Sequence, residues 1–483
     1  MSRKDLLFIP AALAIGGGLW FVMNLDPVWW LAWILPGLLF AIALRTEAWT
    51  ARGLVALAAL IGASSNLGYF LKVMPLFAVM IVLLLQTLMW VLIFGAARRI
   101  VKAWEAAWTV LALPAVSVGV DTLLAHFTPD GNFGSLAYTQ AEMLPVAQFA
   151  ALFGTGGILF LLMLFNSALA FALIYGLKMR GAAVMYGGTV VIVALAAGFG
   201  VWRLQVEPDG APVSFGIASV DDYIDSPRSA GSRDVWTQYE AQVQELASSG
   251  AKVVLLPEKI DVLATPDAEV RKKWLSELAR SNHVWLVAGL GVDDGKQRRN
   301  EAWWFAPDGR LVTNYLKHFM APPEREFVSG DEYPVNDISG VRYGVAICKD
   351  MHFASLGRGF GQRRARVMLI PAWDFDADAW MAANMTKLRG IENGYVVVRS
   401  SRNGLLSISD GFGRMLAVER SARLPGTTLF ATVSVPEQQQ TFYTRSGDML
   451  VWACVIAAVL LTVLAFRRVR QDKGDRSIFL PGK

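Results

Sequence analysis

The stretch Gly344-Val-Ala-Ile-Cys348-Lys-Asp350-Met decides how the chain is interpreted, because an apolar run typical of a buried strand ends there at a thiol. A cysteine between the end of a strand and the start of a helix is a candidate nucleophile, since a helix N-terminus favours the thiolate. The second cysteine, Cys454, lies in a long apolar segment, so no disulfide is expected around Cys348. The alternative for Cys348 is a small buried apolar side chain.

Two charged residues upstream occupy the same kind of position. Glu258 ends the run Val253-Val-Leu-Leu-Pro-Glu258, and Lys317 ends the run Leu311-Val-Thr-Asn-Tyr-Leu-Lys317. Taken alone, a charge at a strand end is typical of a solvated loop. Three such strand ends in one domain instead predict that Glu258, Lys317 and Cys348 converge on one edge of a sheet.

The chain is too apolar for an ordinary soluble protein, with 54% hydrophobic residues among 483. A membrane-spanning helix needs about 20 mostly apolar residues. Seven runs of this kind precede residue 204 and an eighth follows the candidate site, at about 5–25, 28–44, 51–70, 74–97, 104–126, 146–177, 182–202 and 448–466. We therefore predict a bundle of seven helices in residues 1–203, a separate domain in residues 204–446, and an eighth helix with a basic tail in residues 447–483.

The lysines and arginines between the apolar runs orient this bundle, because they are retained on the cytoplasmic side. In an eight-span arrangement nearly all of them fall on one side: Arg3, Lys4, Arg45, Arg52, Arg98, Arg99, Lys102, Lys178, Arg180, Arg467, Arg468, Arg470, Lys473 and Arg476. The opposite loops between the first seven runs hold only Lys72. We predict a multi-pass protein of the cytoplasmic (inner) membrane, with cytoplasmic termini and an extracytoplasmic, periplasmic-side domain.

The formal net charge of +5 does not indicate nucleic acid as a partner. Residues 204–446 carry 28 Lys and Arg against 30 Asp and Glu, so the basic excess belongs to the membrane loops. No metal-ligand spacing, phosphate-binding glycine loop or dinucleotide motif is present, and we expect neither a metal nor a cofactor.

Residues 204–446 alternate short apolar strands with amphipathic helices, a pattern typical of an α/β domain. Strands are predicted at about 213–219, 252–257, 284–290, 301–306, 311–316, 341–347, 366–370, 395–400, 403–408, 414–418 and 427–434. Helices are predicted at about 233–249, 267–281, 351–362 and 380–393. Several strands are apolar on both faces and the helices are few, which favours two sheets packed face to face with helices outside.

These residue types permit acyl transfer through a thioester. Glu258, withdrawn from water, can accept the thiol proton of Cys348. Lys317 can oppose the charge that develops on the carbonyl oxygen of the substrate, with the backbone N–H of Lys349 as a second donor. A competing scheme pairs Cys348 with a histidine, since His318 and His352 flank the site, although neither has the sequence context of a papain-like enzyme.

The order and contexts of these three residues resemble the nitrilase superfamily, and the membrane frame resembles the bacterial apolipoprotein N-acyltransferase family. The similarity covers nearly the whole chain. It includes Gly134-Ser-Leu-Ala-Tyr-Thr-Gln140, Lys317-His-Phe-Met-Ala-Pro, Arg399-Ser-Ser-Arg-Asn-Gly404 and Thr441-Phe-Tyr-Thr-Arg445-Ser-Gly-Asp448. The resemblance implies an α+β membrane protein, in which an eight-helix bundle carries an inserted nitrilase-like α-β-β-α sandwich.

By this resemblance Glu258 is the general base, Lys317 the oxyanion stabiliser and Cys348 the nucleophile. A further glutamate that follows the lysine is best matched by Glu326, with Glu324 as the alternative. Trp236 matches a tryptophan that lines substrate access in the family. Lys349 and Asp350 stand where the family has Tyr-Glu, and Trp373 lies in a second altered segment, so these three are expected beside the substrate.

The resemblance implies transfer of a fatty acyl chain from a membrane phospholipid, through a thioester on Cys348, to the N-terminal amine of a diacylglyceryl-cysteine lipoprotein. One alternative is a membrane-tethered amidase, or an acyltransferase with another amine acceptor. A second is a non-catalytic scaffold that binds lipid or lipoprotein. Sequence alone leaves the oligomeric state undetermined.

Overall fold

The computed structural model describes residues 7–221, 231–437 and 440–478, with the side chains of 231–234 and 469–478 outside this description. The predicted cytoplasmic charges Arg3 and Lys4, and the side chains of Arg470, Lys473 and Arg476, therefore lie outside the described part of the chain. The chain divides into two compact units. The first comprises Met1–Val201 with Asp448–Lys483, and the second comprises Trp202–Gly447.

The first unit is helical. Its helices are α1 (Phe8–Val22), α2 (Leu35–Arg45), α3 (Ala48–Ala63), α4 (Leu67–Val73), α5 (Leu76–Trp104), α6 (Ala112–Phe127), α7 (Leu144–Ala147), α8 (Ala150–Tyr175), α9 (Ala182–Leu204), which crosses into the second unit, and, after that unit, α15 (Met449–Ile478). Within the described residues, six helical stretches are long and apolar enough to cross a membrane: Ala48–Val73, Leu76–Trp104, Ala107–Phe127, Ala150–Tyr175, Ala182–Leu204 and Met449–Arg468.

The first two predicted spans are shorter in the structure than the sequence suggested. Phe8–Val22 and Trp29–Arg45 are apolar helices below the length of a full span, and the second begins as a 3₁₀ turn before α2. The break is closed by buried Asn166 of α8, which accepts from the backbone N–H of Gly37 at 2.6 Å and donates to the carbonyl of Ala32 at 2.9 Å. Backbone groups freed at such a break need partners of this kind in an apolar surrounding.

The second unit contains two sheets. The first has the strand order β13-β1-β2-β4-β5-β6, with β3 also paired to β4. Its strands are β1 (Gly210–Ser219), β2 (Val253–Leu255), β3 (Val262–Ala264), β4 (Trp285–Asp293), β5 (Arg298–Phe305), β6 (Leu311–Leu316) and β13 (Thr427–Pro436). The second has the order β12-β11-β10-β9-β8-β7, with strands β7 (Val335–Ile338), β8 (Val341–Val345), β9 (Val367–Trp373), β10 (Val396–Arg402), β11 (Leu405–Ser409) and β12 (Met415–Arg420).

Side chains alternate between the two faces of each strand, so one sheet contributes to two cores. On β5, Trp304 joins the core that the two sheets share, which also holds Val345 and Leu369. Its neighbours Trp303 and Phe305 point to the other face, into a separate core. That outer core is closed by the amphipathic helices of the first sheet, α10 (Gly231–Ser248) and α11 (Thr265–Asn282).

The second sheet carries α12 (Ala354–Gln362) and α13 (Ala379–Asn393), and the short α14 (Phe442–Ser446) leads back towards α15. The second unit is therefore an α-β-β-α arrangement with two sheets face to face, as the sequence pattern and the resemblance led us to expect. The sequence missed β3 and β7, which have three and four residues. Neither lies in a longer continuous apolar run, which is what marked the equally short β2 in the sequence.

Candidate active site

Both sheets contribute strand ends to the candidate site. Glu258 follows β2 and Lys317 follows β6, in the first sheet, whereas Cys348 follows β8 in the second. Strand β2 is parallel to β4, which is antiparallel to β5, which is antiparallel to β6. Strands β2 and β6 therefore run in the same direction, and their carboxyl ends lie at the same edge of the sheet.

The end of β9 joins the two halves of the site. The backbone N–H of Glu258 donates to the carbonyl of Ala372 at 3.3 Å, and the thiol of Cys348 donates to the carbonyl of Trp373 at 3.4 Å. Glu258 and Cys348 thus contact consecutive residues at the end of one strand. The sequence-predicted convergence of Glu258 and Cys348 is present in the structure.

Gly289 of β4 lets the loop after Glu258 approach closely. Its N–H donates to the carbonyl of Pro257 and its carbonyl accepts from Ile260, both at 3.0 Å. A Cβ at position 289 would lie 2.6 Å from the Cα of Glu258. Any larger residue at 289 would therefore push the carboxylate of Glu258 out of place.

A buried cluster of charges surrounds Lys317. Its ammonium donates to Glu258 Oε1 at 2.6 Å and to Glu324 Oε2 at 2.7 Å, and all three side chains are almost inaccessible. Asn300 of β5 bridges the two carboxylates, donating from Nδ2 to Glu258 Oε1 at 2.6 Å and to Glu324 Oε1 at 2.7 Å. The second oxygen of Glu258, Oε2, is buried and accepts no hydrogen bond from the residues that the structure describes. One carboxylate oxygen therefore remains available to take a proton.

Opposing effects set the ionisation of this cluster. Burial alone would lower the pKa of Lys317, but the carboxylates of Glu258 and Glu324 outweigh it and hold that pKa well above its ordinary value. Burial would raise the pKa of Glu324, yet Lys317 and Lys259 together lower it to about 2. Lys317 is accordingly a stable cation and Glu324 a stable anion at neutral pH.

Cys348 occupies a strained turn. Its φ is +45°, a left-handed conformation that non-glycine residues rarely adopt, and it begins the 3₁₀ turn Cys348–His352. Strain of this kind persists only where the surroundings enforce it, and a sharp turn at a strand end presents a side chain to the space beyond the sheet. Burial, and then the charge of Glu258, raises the pKa of the thiol well above its ordinary value, against the opposing effect of Lys317. The resting sulfur is therefore a thiol, and attack on a carbonyl requires a base.

Asp350 is a correction to the sequence analysis, which placed it beside the substrate. It is fully buried, and its carboxylate accepts from the N–H groups of His318 at 3.0 Å, Phe319 at 2.8 Å and Ile347 at 2.9 Å, and from the Tyr315 hydroxyl at 2.7 Å. A carboxylate with four protein donors has no capacity left for a substrate. Asp350 instead joins the segment after Lys317 to the turn that carries Cys348.

Glu326 is a second correction. The Pro322–Glu324 3₁₀ turn directs the side chain of Glu324 inwards to Lys317, whereas Glu326 is exposed. The sequence analysis preferred Glu326 and kept Glu324 as the alternative. A spacing argument could not decide between them, because the turn, and not the residue count, sets which carboxylate points to the lysine.

Trp236, which the resemblance assigned to substrate access, is a packed side chain among the described residues, and that role stays a prediction. Its indole is 5% exposed in the outer core, 5.5 Å from the ring of Trp274, with the guanidinium of Arg271 at 3.9 Å from its ring centre. Its Nε1 donates to Asp261 at 3.3 Å. This is a packing position that supports the loop after Glu258, and the described contacts do not make it part of a cleft.

Lys349 and Trp373 lie beside Cys348 in the structure, and their contact with the substrate stays a prediction. The ammonium of Lys349 donates to the carbonyl of Met320 at 3.0 Å and is largely buried, so that side chain is occupied by the lysine loop. Trp373 is half-buried, and its carbonyl accepts from Cys348. Two histidines flank Cys348 and could compete with Glu258 for the role of base. The ring of His318 contacts the carbonyl of Glu332 at 2.9 Å. Burial lowers the pKa of His352 well below its ordinary value.

Sequence reasoning missed Asn300 and Lys259. Asn300 lies in the polar first half of β5, between Arg299 and Glu301, so the sequence around it did not show that its amide is buried and needs a specific partner. Lys259 directly follows Glu258, and its ammonium lies 2.8 Å from Glu324 Oε1. Its sequence position gave no indication that a second lysine would be buried in the site.

Comparison with known proteins agrees with this architecture. The carbon-nitrogen hydrolase family matches residues 227–441, and the apolipoprotein N-acyltransferase N-terminal domain matches residues 16–168. An apolipoprotein N-acyltransferase from Geobacter metallireducens is 25% identical over 401 residues, covering 74% of each chain. The human omega-amidase NIT2 is 28% identical over 180 residues, covering 33% of this chain and 63% of the relative. The crystal structure of an amidase from Nesterenkonia sp. covers 51% of this chain and 97% of its own, with 16% identity and a TM-score of 0.42.

The two family matches define the class first: an enzyme whose carbon-nitrogen hydrolase domain is joined to a set of apolar helices. Because both domain families match in the order found here, the chain belongs to the bacterial apolipoprotein N-acyltransferase family of the nitrilase superfamily.

Proposed function

We propose that this protein transfers a fatty acyl chain from a membrane phospholipid to the N-terminal amine of a diacylglyceryl-cysteine lipoprotein, through a thioester on Cys348. The observation that carries the proposal is the strained Cys348 beside the buried pair of Glu258 and Lys317. The curated relative from Geobacter metallireducens, named for N-acylation of apolipoproteins and matched over 74% of both chains, supports the choice of substrates.

In the first step the sulfur of Cys348 attacks the ester carbonyl of the phospholipid. Glu258 takes the thiol proton on its unoccupied oxygen Oε2. The negative charge on the carbonyl oxygen is opposed by the ammonium of Lys317 and by the backbone N–H of Lys349. As the tetrahedral intermediate collapses, the carbon–oxygen ester bond breaks, and Glu258 returns the proton to the lysophospholipid that leaves.

In the second step the lipoprotein amine attacks the thioester. A carbon–nitrogen bond forms, the carbon–sulfur bond breaks, and Glu258 carries one amine proton to the departing sulfur. Glu324 receives no proton in this scheme, because Lys317 and Lys259 hold it as an anion. Its role is to hold Lys317 in place.

The apolar helices of the first unit suit an enzyme that acts on lipids. Both substrates are lipids, and an enzyme anchored by up to eight helices meets them without extracting them into water. The loop charges support an orientation with both termini in the cytoplasm and the second unit outside it. We propose this orientation, in the cytoplasmic membrane, as part of the function.

The second candidate is a membrane-tethered amidase, or an acyltransferase with a different amine acceptor. It is favoured by the match of the catalytic segment to omega-amidase NIT2 and by Cys348-Lys349-Asp350, where the N-acyltransferase pattern implied by the resemblance has Cys-Tyr-Glu. In that reaction water or another amine, and not the lipoprotein, would discharge the same thioester.

Mass spectrometry of the Cys348 peptide tests the proposal. The purified protein is incubated with phospholipid in detergent, and then with a diacylglyceryl-cysteine peptide or with buffer alone. We expect an adduct of fatty-acid mass on Cys348 that disappears on addition of the peptide and persists in buffer. Discharge to buffer at an equal rate favours the amidase, and absence of any adduct favours the non-catalytic scaffold.

A further inference from the structure

A second lysine, Lys259, lies within the charge cluster but takes no part in the proposed acyl transfer. It is 1% exposed and directly follows Glu258. Its φ is +42°, so its backbone is in the strained left-handed region. The carbonyl of Lys259 accepts from Nη1 of buried Arg402 at 2.8 Å. A strained backbone that a buried arginine holds in place indicates that the direction of this side chain is fixed by the fold.

The ammonium of Lys259 contacts both sides of the site. It lies 2.8 Å from Glu324 Oε1, 4.6 Å from the ring centre of Trp373 and 5.4 Å from that of Phe327. A cation within about 6 Å of an aromatic ring centre is attracted to the ring, more strongly where water is excluded. Lys259 is thus bound at once to the carboxylate that holds Lys317 and to the residue whose carbonyl accepts from Cys348.

Because of the first contact, the two carboxylate oxygens of Glu324 have different donors. Oε1 receives Lys259 and Asn300, whereas Oε2 receives Lys317 at 2.7 Å and the backbone N–H of Ala321 at 3.1 Å. Without Lys259, Lys317 would be the one ammonium that the described residues place against the two carboxylates of Glu258 and Glu324. A lysine held more tightly by two anions is less free to turn its ammonium to a developing oxyanion.

The second contact fixes Trp373. Its carbonyl accepts from the thiol of Cys348 at 3.4 Å, and its ring lies 5.0 Å from that of Phe375. An ammonium 4.6 Å from the indole centre helps to hold Trp373 at the end of β9, and with it the carbonyl that accepts from the Cys348 thiol. Small displacements of a nucleophile have large effects on rate.

We propose that Lys259 is a positioning residue for acylation, which holds Glu324 and Trp373 so that Lys317 and the thiol of Cys348 face one reacting carbonyl. The inference rests on the proposed function only in that Cys348 is the residue acylated. It assigns Lys259 no contact with the substrate and no proton to transfer.

Other charged or titratable groups also face this part of the site, from both sheets and the connecting loops. They are Glu258, Lys317, Cys348, Asp350, Asp374, Arg399 and Arg402. The test therefore compares rates between variants at one pH and does not depend on assigning a titration to one of them.

The test uses p-nitrophenyl butyrate, which acylates a nucleophilic cysteine without any lipid, and follows the burst of nitrophenolate from the full chain in detergent. For Lys259→Met we expect the burst rate constant to fall roughly tenfold to a hundredfold, while the burst amplitude is unchanged. Lys259→Arg, which keeps the cation, should recover part of the rate. Lys252→Met, which removes an exposed lysine just before β2, is the matched control and should match the wild type.

A double-mutant cycle with Glu324→Gln then separates positioning from general damage. Because Lys259 acts in part through Glu324, its substitution should have a smaller effect in the Glu324→Gln background than in the wild type. An unchanged burst rate in Lys259→Met, a fall in amplitude alone, or fully additive effects would each overturn the inference. A wild-type burst with nitrophenyl ester but no adduct from phospholipid would refute the proposed donor and leave the role of Lys259 intact.

Discussion

The hydroxyl of Tyr315 donates to Asp350 Oδ2 at 2.7 Å, across 35 residues of sequence and from one sheet to the other. The same carboxylate accepts from the backbone at His318, Phe319 and Ile347. Asp350 therefore fixes the strand end that carries Lys317 to the strand end that carries Cys348. Together with the end of β9, this buried side chain sets the relative position of the cation and the nucleophile.

Replacement of Asp350 by Asn should destabilise the second unit and misplace Lys317. In the variant, the amide NH₂ would face backbone N–H groups that donate to a carboxylate oxygen in the wild type. The loss of these hydrogen bonds to a charged group should lower the free energy of unfolding by about 3 kcal/mol or more. Denaturant unfolding followed by tryptophan fluorescence measures the effect. Asp337→Asn, in which the carboxylate accepts from one exposed loop N–H at 2.8 Å, is the control and should leave stability nearly unchanged. Equal stability of the two variants would contradict the joining role of Asp350.

Replacement of Cys348 by Ala should abolish acyl transfer and leave the fold intact. Cys348→Gly should be equally inactive but more stable than Cys348→Ala by about 1 kcal/mol, because glycine adopts a φ of +45° without strain. Transfer to the lipoprotein peptide and denaturant unfolding check the two parts. Substantial residual turnover in either variant would remove Cys348 from the mechanism.

Replacement of Glu258 by Gln should prevent formation of the thioester. The amide keeps the shape of the side chain but cannot accept the thiol proton, and burial keeps the pKa of Cys348 well above neutral. The measurement is the mass of the Cys348 peptide after incubation with phospholipid. Adduct accumulation at the wild-type rate would mean that another group is the base.

Glu324 and Glu326 form a matched pair, two residues apart. Glu324→Gln removes the partner of two buried ammonium groups, which should cost about 3 kcal/mol of stability and most of the activity. Glu326→Gln changes an exposed side chain and should behave like the wild type. Transfer assays and unfolding on both variants decide the assignment, and the reverse ranking would restore the preference made from the sequence.

The stabilisation by Glu324 should disappear in acid. Its pKa in the folded chain is about 2, against an ordinary value of 4.5, so its contribution is present above about pH 4.5 and is lost as the pH falls towards 2. The difference in unfolding free energy between the wild type and Glu324→Gln should therefore shrink across that window. Unfolding curves at pH 7, 4.5 and 3 measure it, and a constant difference would show that folding does not lower the pKa of this carboxylate.

The sequence by itself determined the broad architecture and three of the site residues. Long apolar runs and period-two strands can be recognised in the sequence, because a buried helix or strand places apolar residues at regular positions along the chain. Glu258, Lys317 and Cys348 were accessible to sequence reasoning because each directly follows an apolar strand, and the ends of such strands meet in space.

Only the tertiary structure decided which residues surround those three. The choice of Glu324 over Glu326 depends on a single 3₁₀ turn, and the burial of Lys259 depends on a backbone conformation at positive φ. Asp350 changed from an expected substrate contact to an internal link because its four donors come from separate segments of the chain. Such contacts are set by the packing of one sheet on the other, and no local pattern in the sequence records them.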